Sequence, residues 1–301
     1  MKAKNINKSL LRAMSVIKSF SPGELELGVV DIAQKVGIPT STAHRMLATL
    51  VESGMIERNP KTRNYTIGPA LYVLGSLYLS STDMTQAADS AIKALNELMG
   101  EVISVAILSR GNVIMVLREE SRSSFRWNVH VGTILPAYSA AIGKALLSEL
   151  TETQLDSLYP EERLRPVTTK TIATKTELKL ELEQIRETGI AFDREGSSEG
   201  VEGIASVIRD ASGKAVAAMS IGVPLFRVNQ AIRERLATLV KMGAKLVSYR
   251  LGYQDVDNPI RDIEEIRSWW KQNQLDSASQ ANSLARAVPI GRNGTVEGER
   301  D

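Results

Sequence analysis

The chain has 301 residues, of which 43% are hydrophobic and 24% are charged, as in an ordinary globular protein of about two domains. It has no cysteine and only two histidines, His44 and His130. This composition excludes disulfides, thiolate metal sites and cysteine nucleophiles, and it argues against a histidine zinc site. No apolar stretch is long enough to cross a membrane and residues 1–10 carry no signal-peptide pattern, so we expect a cytoplasmic protein with no metal or other cofactor.

The charge is unevenly distributed along the chain. Residues 1–70 contain ten Lys or Arg and five Asp or Glu, a net charge of +5, which leaves −3 of the total of +2 for the other residues. A basic N-terminal region on a mildly acidic remainder suggests a polyanionic partner for that region.

Residues 1–68, called the head below, are predicted to form three helices and a hairpin. The 3–4 spacing of apolar residues predicts helices over residues 7–20, 29–36 and 40–53, with strands at 55–58 and 65–67 around a basic loop. Gly37-Ile38-Pro39 forms the turn before the third helix, which we expect Thr40 or Ser41 to cap. The predicted buried side of this helix comprises Ala43, Met46, Leu47, Leu50 and Val51.

The rest of the chain predicts a helical linker, a mixed body and an extension. Helical patterns cover residues 69–99, with a break and cap at Thr82-Asp83. Residues 100–252, called the body below, mix strand-like runs with helices and end in a long helix over 229–252. The remaining segment, 253–301, is predicted to hold one helix over 262–274 and to be disordered from 277 onward. The predicted fold class is therefore α+β.

The order of elements in the head is typical of a winged helix-turn-helix. In this arrangement the second helix of the pair lies across the outside of the domain, where a major groove can receive it. Its polar residues and the basic loop are the candidate DNA contacts, because hydroxyls and N–H groups reach phosphates and arginine reads guanine. These candidates are Thr40, Ser41, Thr42, His44, Arg45, Thr49, Arg58, Lys61 and Arg63.

Each of these features also has a plainer explanation, and two other functions stay open. The hydroxyls of Thr40 and Ser41 could serve only as caps, and Arg45 could be a solvated surface charge. The winged domain could belong to a ligand-responsive protein–protein module that does not bind DNA. An enzyme with an appended head is the third alternative, but the sequence offers no phosphate loop, no metal-spaced histidines and no Ser–His pair, so no catalytic residue is predicted.

Several segments resemble the IclR family of transcription regulators. In the head these are GIPTSTAHRML at 37–47, Leu50, Gly54 and YTIG at 65–68. In the body they include AIGKALL at 141–147, TKTI at 169–172, IRETG at 185–189 and AMS at 218–220. The resemblance covers residues 5–252. One departure is Thr40, where the family often carries a basic residue.

The resemblance implies a GAF-like effector-binding body, a palindromic operator in double-stranded DNA, and a homodimer or dimer of dimers. We expect the helices over 69–99 to form the dimer contact and the bodies to pair two dimers. The resemblance also implies a pocket for a small carboxylate or aromatic acid, with the start of a helix suited to an anion. Better-known members carry small polar side chains in place of Gly203 and Gly222, so we expect a roomier or less polar pocket. Gly196 also replaces a typical acidic residue. The implied effector residues are Ala141, Ile142, Gly143, Asp193, Gly203, Ser220 and Gly222.

Overall fold

The structure is a computed structural model that describes residues 6–21, 23–80, 84–122, 127, 129–254 and 258–273. The chain divides into two compact units, Met1–Asp83 and Met84–Asp301. The predicted α+β architecture, with a winged helix-turn-helix before a larger body built on an antiparallel sheet, is confirmed. No helix among the described residues combines the length and the apolar character needed to cross a bilayer.

The described part of the first unit contains four helices and a small sheet. Its helices are α1 (Lys8–Ile17), α2 (Val29–Val36), α3 (Thr40–Glu52) and α4 (Pro69–Ser80). Its strands are β1 (Glu26–Leu27), β2 (Ile56–Arg58) and β3 (Tyr65–Ile67), paired antiparallel in the order β1-β3-β2. The sequence patterns did not predict β1, because two residues are too few to show alternation.

The core of the head forms where α2 and α3 cross. Gly37 ends α2 at a φ of +68°, a left-handed conformation that glycine adopts without strain. The turn lets Ile32 and Leu47 pack fully buried against each other's helices, with Ile56 of β2 beneath them. Val51, predicted to be buried, is 37% exposed because it lies one position beyond Leu50 and so about 100° further round the helix.

The predicted 69–99 linker consists of two helices that belong to different units. Helix α4 lies in the first unit, whereas α5 (Met84–Met99) belongs to the second. Helix α5 packs along the long C-terminal helix of the body. The predicted cap at Thr82-Asp83 lies outside the described residues.

The second unit is built on a six-stranded antiparallel sheet. Its strand order is β6-β5-β4-β9-β8-β7. The strands are β4 (Val102–Ser109), β5 (Asn112–Glu119), β6 (Ile134–Pro136), β7 (Ala191–Arg194), β8 (Val201–Arg209) and β9 (Ala215–Pro224). The helices after α5 are α6 (Ala141–Leu147), α7 (Glu152–Leu158), α8 (Lys175–Thr188) and α9 (Gln230–Arg250). The short elements β6 and α7 were not predicted.

Helices cover both faces of this sheet. On one face α9 packs so closely that a Cβ on Gly243 would press on Leu95 of α5 and on Met219 of β9. On the other face α6 lies over the sheet, and a Cβ on Gly203 of β8 would come within 3.4 Å of Ala141. The strands β4, β8 and β9 are therefore buried along most of their length.

Part of the C-terminal extension folds back onto the body. A tenth helix, α10, spans residues 263–273 and buries Ile266 to 1% exposure. This agrees closely with the helix predicted over 262–274. Residues 274–301, which include the segment predicted to be disordered, lie outside the described residues.

Candidate DNA interface and effector site

The polar side of α3 is open to solvent. Its opposite side is locked into the core by Ala43, Leu47 and Leu50, all buried. Six candidate DNA contacts share the open side, five of them exposed and Thr42 half-buried: Thr40, Ser41, Thr42, His44, Arg45 and Thr49. The helix therefore presents these residues together on a fixed support.

The start of α3 differs from the prediction. The residue that caps the helix is Pro39, whose carbonyl accepts hydrogen bonds from the N–H groups of Thr42 and Ala43 at 2.9 and 3.0 Å. No side chain caps this end, so the prediction that Thr40 or Ser41 acts as a cap is wrong. The helix begins at Thr40 itself, one residue too early for Thr40 to cap it and two residues too early for Ser41. The hydroxyls and the backbone N–H groups of Thr40 and Ser41 are left open to an anion, whereas the N–H of Thr42 is bonded to Pro39.

The basic loop between β2 and β3, the wing, is held by its own backbone. The N–H of Asn59 donates to the carbonyl of Asn64 at 2.8 Å, and the N–H of Arg63 donates to the carbonyl of Asn59 at 2.9 Å. The side-chain oxygen of Asn59 accepts a bond from the N–H of Lys61 at 2.9 Å. This tight turn places Arg63 at a φ of +63° and leaves Lys61 and Arg63 exposed at its tip.

Arg58 lies along the wing. Its Nε donates to the carbonyl of Arg63 at 3.2 Å, and its guanidinium stands 5.7 Å from the centre of the Tyr65 ring, a cation–π distance. The side chain stays exposed. Arg58 therefore supports the wing as well as adding to its positive charge.

Glu26 of β1 is a residue that sequence reasoning missed. Its carboxylate accepts hydrogen bonds from the Thr62 hydroxyl and, at 3.3 Å, from the side-chain amide of Asn59. An acidic side chain thus ties the wing to β1. Local sequence patterns could not reveal this contact, because Asn59 lies 33 residues along the chain from Glu26.

Arg12 is a second missed residue. It is exposed on α1 and lines a shallow depression of about 340 Å³ between α1 and α3, together with Arg45 and Thr49. The periodicity of α1 drew attention to its apolar residues only. The depression extends the positive surface of α3 onto the neighbouring helix.

In the body, five of the predicted effector residues lie together between α6 and the sheet. The strand register pairs Gly203 with Asp193 on one side and with Gly222 on the other. Ser220 shares the face of Gly222, because it lies two residues away on the same strand. Ala141 of α6 faces this patch, 3.4 Å from where a Cβ of Gly203 would lie.

The first turn of α6 is built for packing. All seven residues of the helix are buried, including Ala141, Ile142 and Gly143. A Cβ on Gly143 would overlap the carbonyl of Ala137, so glycine is required at this position. The N–H of Gly143 already donates to Ala140 at 3.0 Å. The start of α6 was expected to suit an anion, but the N–H of Gly143 is not free to bind one. Ala141 and Ile142 are the first two residues of the helix.

The space beside Gly222 is filled, contrary to the expectation of a roomier pocket there. A Cβ on Gly222 would lie 2.5 Å from the Trp127 ring. The guanidinium of Arg118 stands 5.2 Å from the centre of that ring and donates to the Trp127 carbonyl at 3.3 Å. Arg118 also donates to Ser104 at 3.2 Å, and its side chain is 2% exposed. The space that a side chain at position 222 would take is thus occupied by the indole ring of Trp127.

Asp193 is buried and already has partners. One carboxylate oxygen accepts from the N–H of Gly196 at 2.7 Å, and the other accepts from the hydroxyl of Ser197 at 2.5 Å. A Cβ on Gly196 would lie 2.5 Å from this carboxylate, which gives a steric reason for glycine in place of an acidic residue. Burial raises the pKa of the Asp193 carboxyl, against the opposing effects of Ser197 and the positive charge of Lys144.

Asp193 also borders a cavity of about 500 Å³ between α6, α8 and β7. Lys144 and Glu181, which form an ion pair, line it as well. The Lys144 side chain is 8% exposed, so its charge is neutralised inside the body. The other predicted effector residues do not line this cavity.

Comparison with known proteins gives the family. Residues 76–249 match the family described as bacterial transcriptional regulator IclR C-terminal, and residues 9–60 match the IclR helix-turn-helix domain. The acetate operon repressor of Salmonella typhimurium is 28% identical, over 81% of this chain and 90% of that protein. The transcriptional repressor AllR of Salmonella typhimurium is 30% identical, over 81% of this chain and 90% of its own.

Solved structures give the same result. The IclR protein of Thermotoga maritima is 26% identical with a TM-score of 0.64, covering 82% of this chain and 98% of that one. An IclR homologue from Microbacterium hydrocarbonoxydans, solved with 4-hydroxybenzoate, shares the fold at 22% identity and a TM-score of 0.71, covering 81% of this chain and 99% of that one. The head and the body described above are those of the IclR family of DNA-binding transcription regulators, which are not enzymes, and the chain belongs to this family.

Proposed function

We propose that the protein binds a palindromic operator through two heads and controls a catabolic operon in response to a small organic acid. One observation carries the DNA half of this proposal: α3 exposes its polar side while a rigid, basic wing stands on the same domain. A single head covers only a short half-site, so two heads on a two-fold operator supply the affinity and specificity. The regulator acts in the cytoplasm, where the operon is transcribed.

The residues of the interface divide by their chemistry. The hydroxyls of Thr40 and Ser41 and the backbone N–H groups of these two residues suit phosphates. Arg45 is long enough to donate two hydrogen bonds to a guanine. Lys61 and Arg63 at the wing tip suit the adjacent backbone or minor groove. The side chains that complete the surface are Thr42, His44, Thr49 and Arg58.

Exposed apolar side chains support a homodimer. On α4, Tyr72, Val73 and Leu74 are 78%, 55% and 52% exposed, and Leu10 and Leu11 on α1 are exposed by more than half. Clusters of this kind mark protein–protein interfaces. We place the contact between two heads here, with body contacts joining two dimers into a dimer of dimers.

The chemistry of the patch between α6 and the sheet supports an acidic effector. The Arg118 guanidinium stands against the Trp127 ring and forms an ion pair at 2.7 Å with the half-exposed Glu120. A carboxylate on an apolar ring suits this place by taking over the bonds of Arg118 to Glu120 beside the aromatic surface. Ser220 and Ala141 border the same place. Two relatives point the same way, since one was solved with 4-hydroxybenzoate and another represses an acetate operon. The effector shifts DNA affinity by binding the two states of the dimer unequally.

The DNA half is tested with duplexes selected from a random library. Arg45→Ala should weaken binding to the selected duplex by about 1–3 kcal/mol and relax its base preference at one position. Binding is measured by fluorescence anisotropy at several salt concentrations, because phosphate contacts make affinity salt-dependent. Arg163→Ala, which removes an exposed charge from the body, is the control. Unchanged affinity and base preference in Arg45→Ala would contradict the placement of α3.

The effector half is tested on the same duplex. Adding 4-hydroxybenzoate or acetate should change the operator affinity of the unmodified protein. Ser220→Phe should abolish that response and leave DNA binding intact, because Ser220 lies in the body. Ser212→Phe, in an exposed turn, is the control for bulk. A Ser220→Phe protein that still responds would refute the position of the pocket.

A further inference from the structure

The C-terminal extension adds a wall to the body that the matched family segment, ending at residue 249, does not include. The carbonyl of Asn258 accepts a bond from Lys245 of α9 at 3.1 Å. Helix α10 then buries Ile266, and Arg267 reaches Glu97 of α5 at 3.4 Å. The described part of the extension is thus anchored to both helices on this side of the sheet.

Helix α10 also contributes to a cavity. About 230 Å³ of space lies between Trp270 and the segments around the end of α5, the end of β9 and the first turns of α9. Apolar side chains form most of its wall: Met99, Val223, Ile232, Leu236 and Trp270. An apolar concave site with a few polar groups is the usual form of a small-molecule pocket, and this one is small.

The charges of the cavity favour an anion. Arg227 and Glu101 both line it and form an ion pair at 3.0 Å through Glu101 Oε1, so their charges offset each other, while Glu101 Oε2 is buried without a hydrogen-bond partner. Arg235 also lines it, and among the described residues its guanidinium has no hydrogen-bond or ion-pair partner. The same holds for the indole N–H of Trp270. One unmatched positive charge and one free N–H donor therefore border the apolar wall.

From these observations we infer a second ligand site, for a small monocarboxylate with an apolar body, enclosed by α10. The carboxylate binds Arg235, since guanidinium groups recognise carboxylates with two parallel hydrogen bonds. The apolar part packs against Trp270, Leu236 and Val223. The paired charge of Arg227 keeps Glu101 from repelling the ligand.

This site is separate from the patch beneath α6. Gly222 and Val223 are consecutive on β9, so their side-chain positions point to opposite faces of the sheet. Gly222 faces Trp127, whereas Val223 faces the cavity on the α9 side. The sheet itself lies between the two sites, and a change at one leaves the contacts of the other intact.

The test uses benzoate as the probe and the full chain. Binding is followed by isothermal titration calorimetry on the unmodified protein, Arg235→Gln, Trp270→Ala and the Arg163→Gln control. The Ser220→Phe variant removes binding at the patch beneath α6, so that only the second site is counted. Circular dichroism on each variant checks that the fold is kept.

In the Ser220→Phe background benzoate should still bind, and Arg235→Gln should weaken this binding at least about tenfold, the effect of losing a charged hydrogen bond. Trp270→Ala should weaken it as well, and Arg163→Gln should not. Binding that disappears in Ser220→Phe alone, or that is unaffected by Arg235→Gln in a folded protein, would overturn the second site. So would the absence of benzoate binding by the Ser220→Phe protein at about 10 mM. This concentration is above the range of about 1 μM to 1 mM in which sites for metabolites are usually half-saturated.

Discussion

The head and the body place their predicted functional residues in opposite environments. In the head, the candidate residues of α3 and the wing are exposed. The buried side of α3 and the hydrogen bonds of the wing hold them in place. In the body, Asp193 and Gly143 are buried and already have partners within the chain. A surface that reads DNA can therefore be recognised from an exposed side of one helix, whereas an internal pocket depends on what its neighbours leave empty.

The difference matters for how a substitution acts. A change on the open side of α3 alters contacts with a partner and leaves the fold alone. A change beneath α6 alters packing first and ligand contacts second, because the interior is close-packed. Four sets of variants test this difference between the head and the body.

The largest effect is expected for Gly143→Ala. The new Cβ would overlap the backbone carbonyl of Ala137, so α6 must shift, at a cost of about 3 kcal/mol or more in the free energy of unfolding. Urea unfolding followed by tryptophan fluorescence reports it, because all three tryptophans lie in the second unit. Gly203→Ala, whose nearest contact would be 3.4 Å, should cost under about 1 kcal/mol. Equal losses for both would show that α6 is not held as tightly as described.

The next effect concerns the wing. Glu26→Ala removes the tie to Thr62 and Asn59, and should weaken operator binding by about 1 kcal/mol as the wing loses its fixed position. Glu57→Ala removes the same charge from β2 without breaking a described contact, and should strengthen binding slightly by reducing repulsion from phosphates. Anisotropy titrations on one duplex measure both. The test is that the two variants change operator affinity in opposite directions. A gain in affinity for both would show that Glu26 affects DNA binding only through its charge.

A smaller effect is expected for Gly222→Ala. Its Cβ would lie 2.5 Å from the Trp127 ring, which must swing away and lose the stacking of Arg118. The expected cost is about 0.5–1 kcal/mol, with a shift of the tryptophan emission maximum. In a Trp127→Phe background the emission shift should vanish. A Gly222→Ala protein with unchanged emission would place Trp127 elsewhere in solution.

The smallest effect is a pH dependence at Asp193. Because its pKa is raised in the folded chain, the group binds its proton more tightly there than in the unfolded chain. Its contribution to stability therefore falls as pH rises from about 4 through the folded pKa. The unfolding free energy of the unmodified protein should decline relative to Asp193→Asn over this range. The pKa of Asp210 is lowered mainly by Ser212, so its contribution to stability is lost only as pH falls below about 4. Relative to Asp210→Asn, the unmodified protein should therefore stay level above about pH 4, and a decline there equal to that for Asp193 would contradict the burial argument.

Much of the fold could be predicted from the sequence, because its long elements repeat at the helical or strand period. The spans of α2 and β3 follow directly from their apolar spacing and their turn residues. Short elements such as β1 and β6 could not be predicted, since two or three residues show no period. The surface of α3 follows from the periodicity of the helix. The contacts of Glu26 with the wing and of Trp127 with Gly222 join residues far apart in sequence, and no local pattern encodes them.

The residues that hold the wing in shape are different from the two that carry the positive charge at its tip. Asn59, Thr62 and Glu26 fix the course of the loop through contacts that do not involve the side chains of Lys61 or Arg63. Lys61 can therefore change during evolution without rebuilding the turn, whereas Arg63, at a φ of +63°, can be replaced without strain only by residues that tolerate the left-handed conformation, such as glycine or asparagine. Under the proposed DNA contacts, Lys61 is thus a position of the wing at which a lineage, or a protein engineer, could retune DNA preference while the scaffold stays the same.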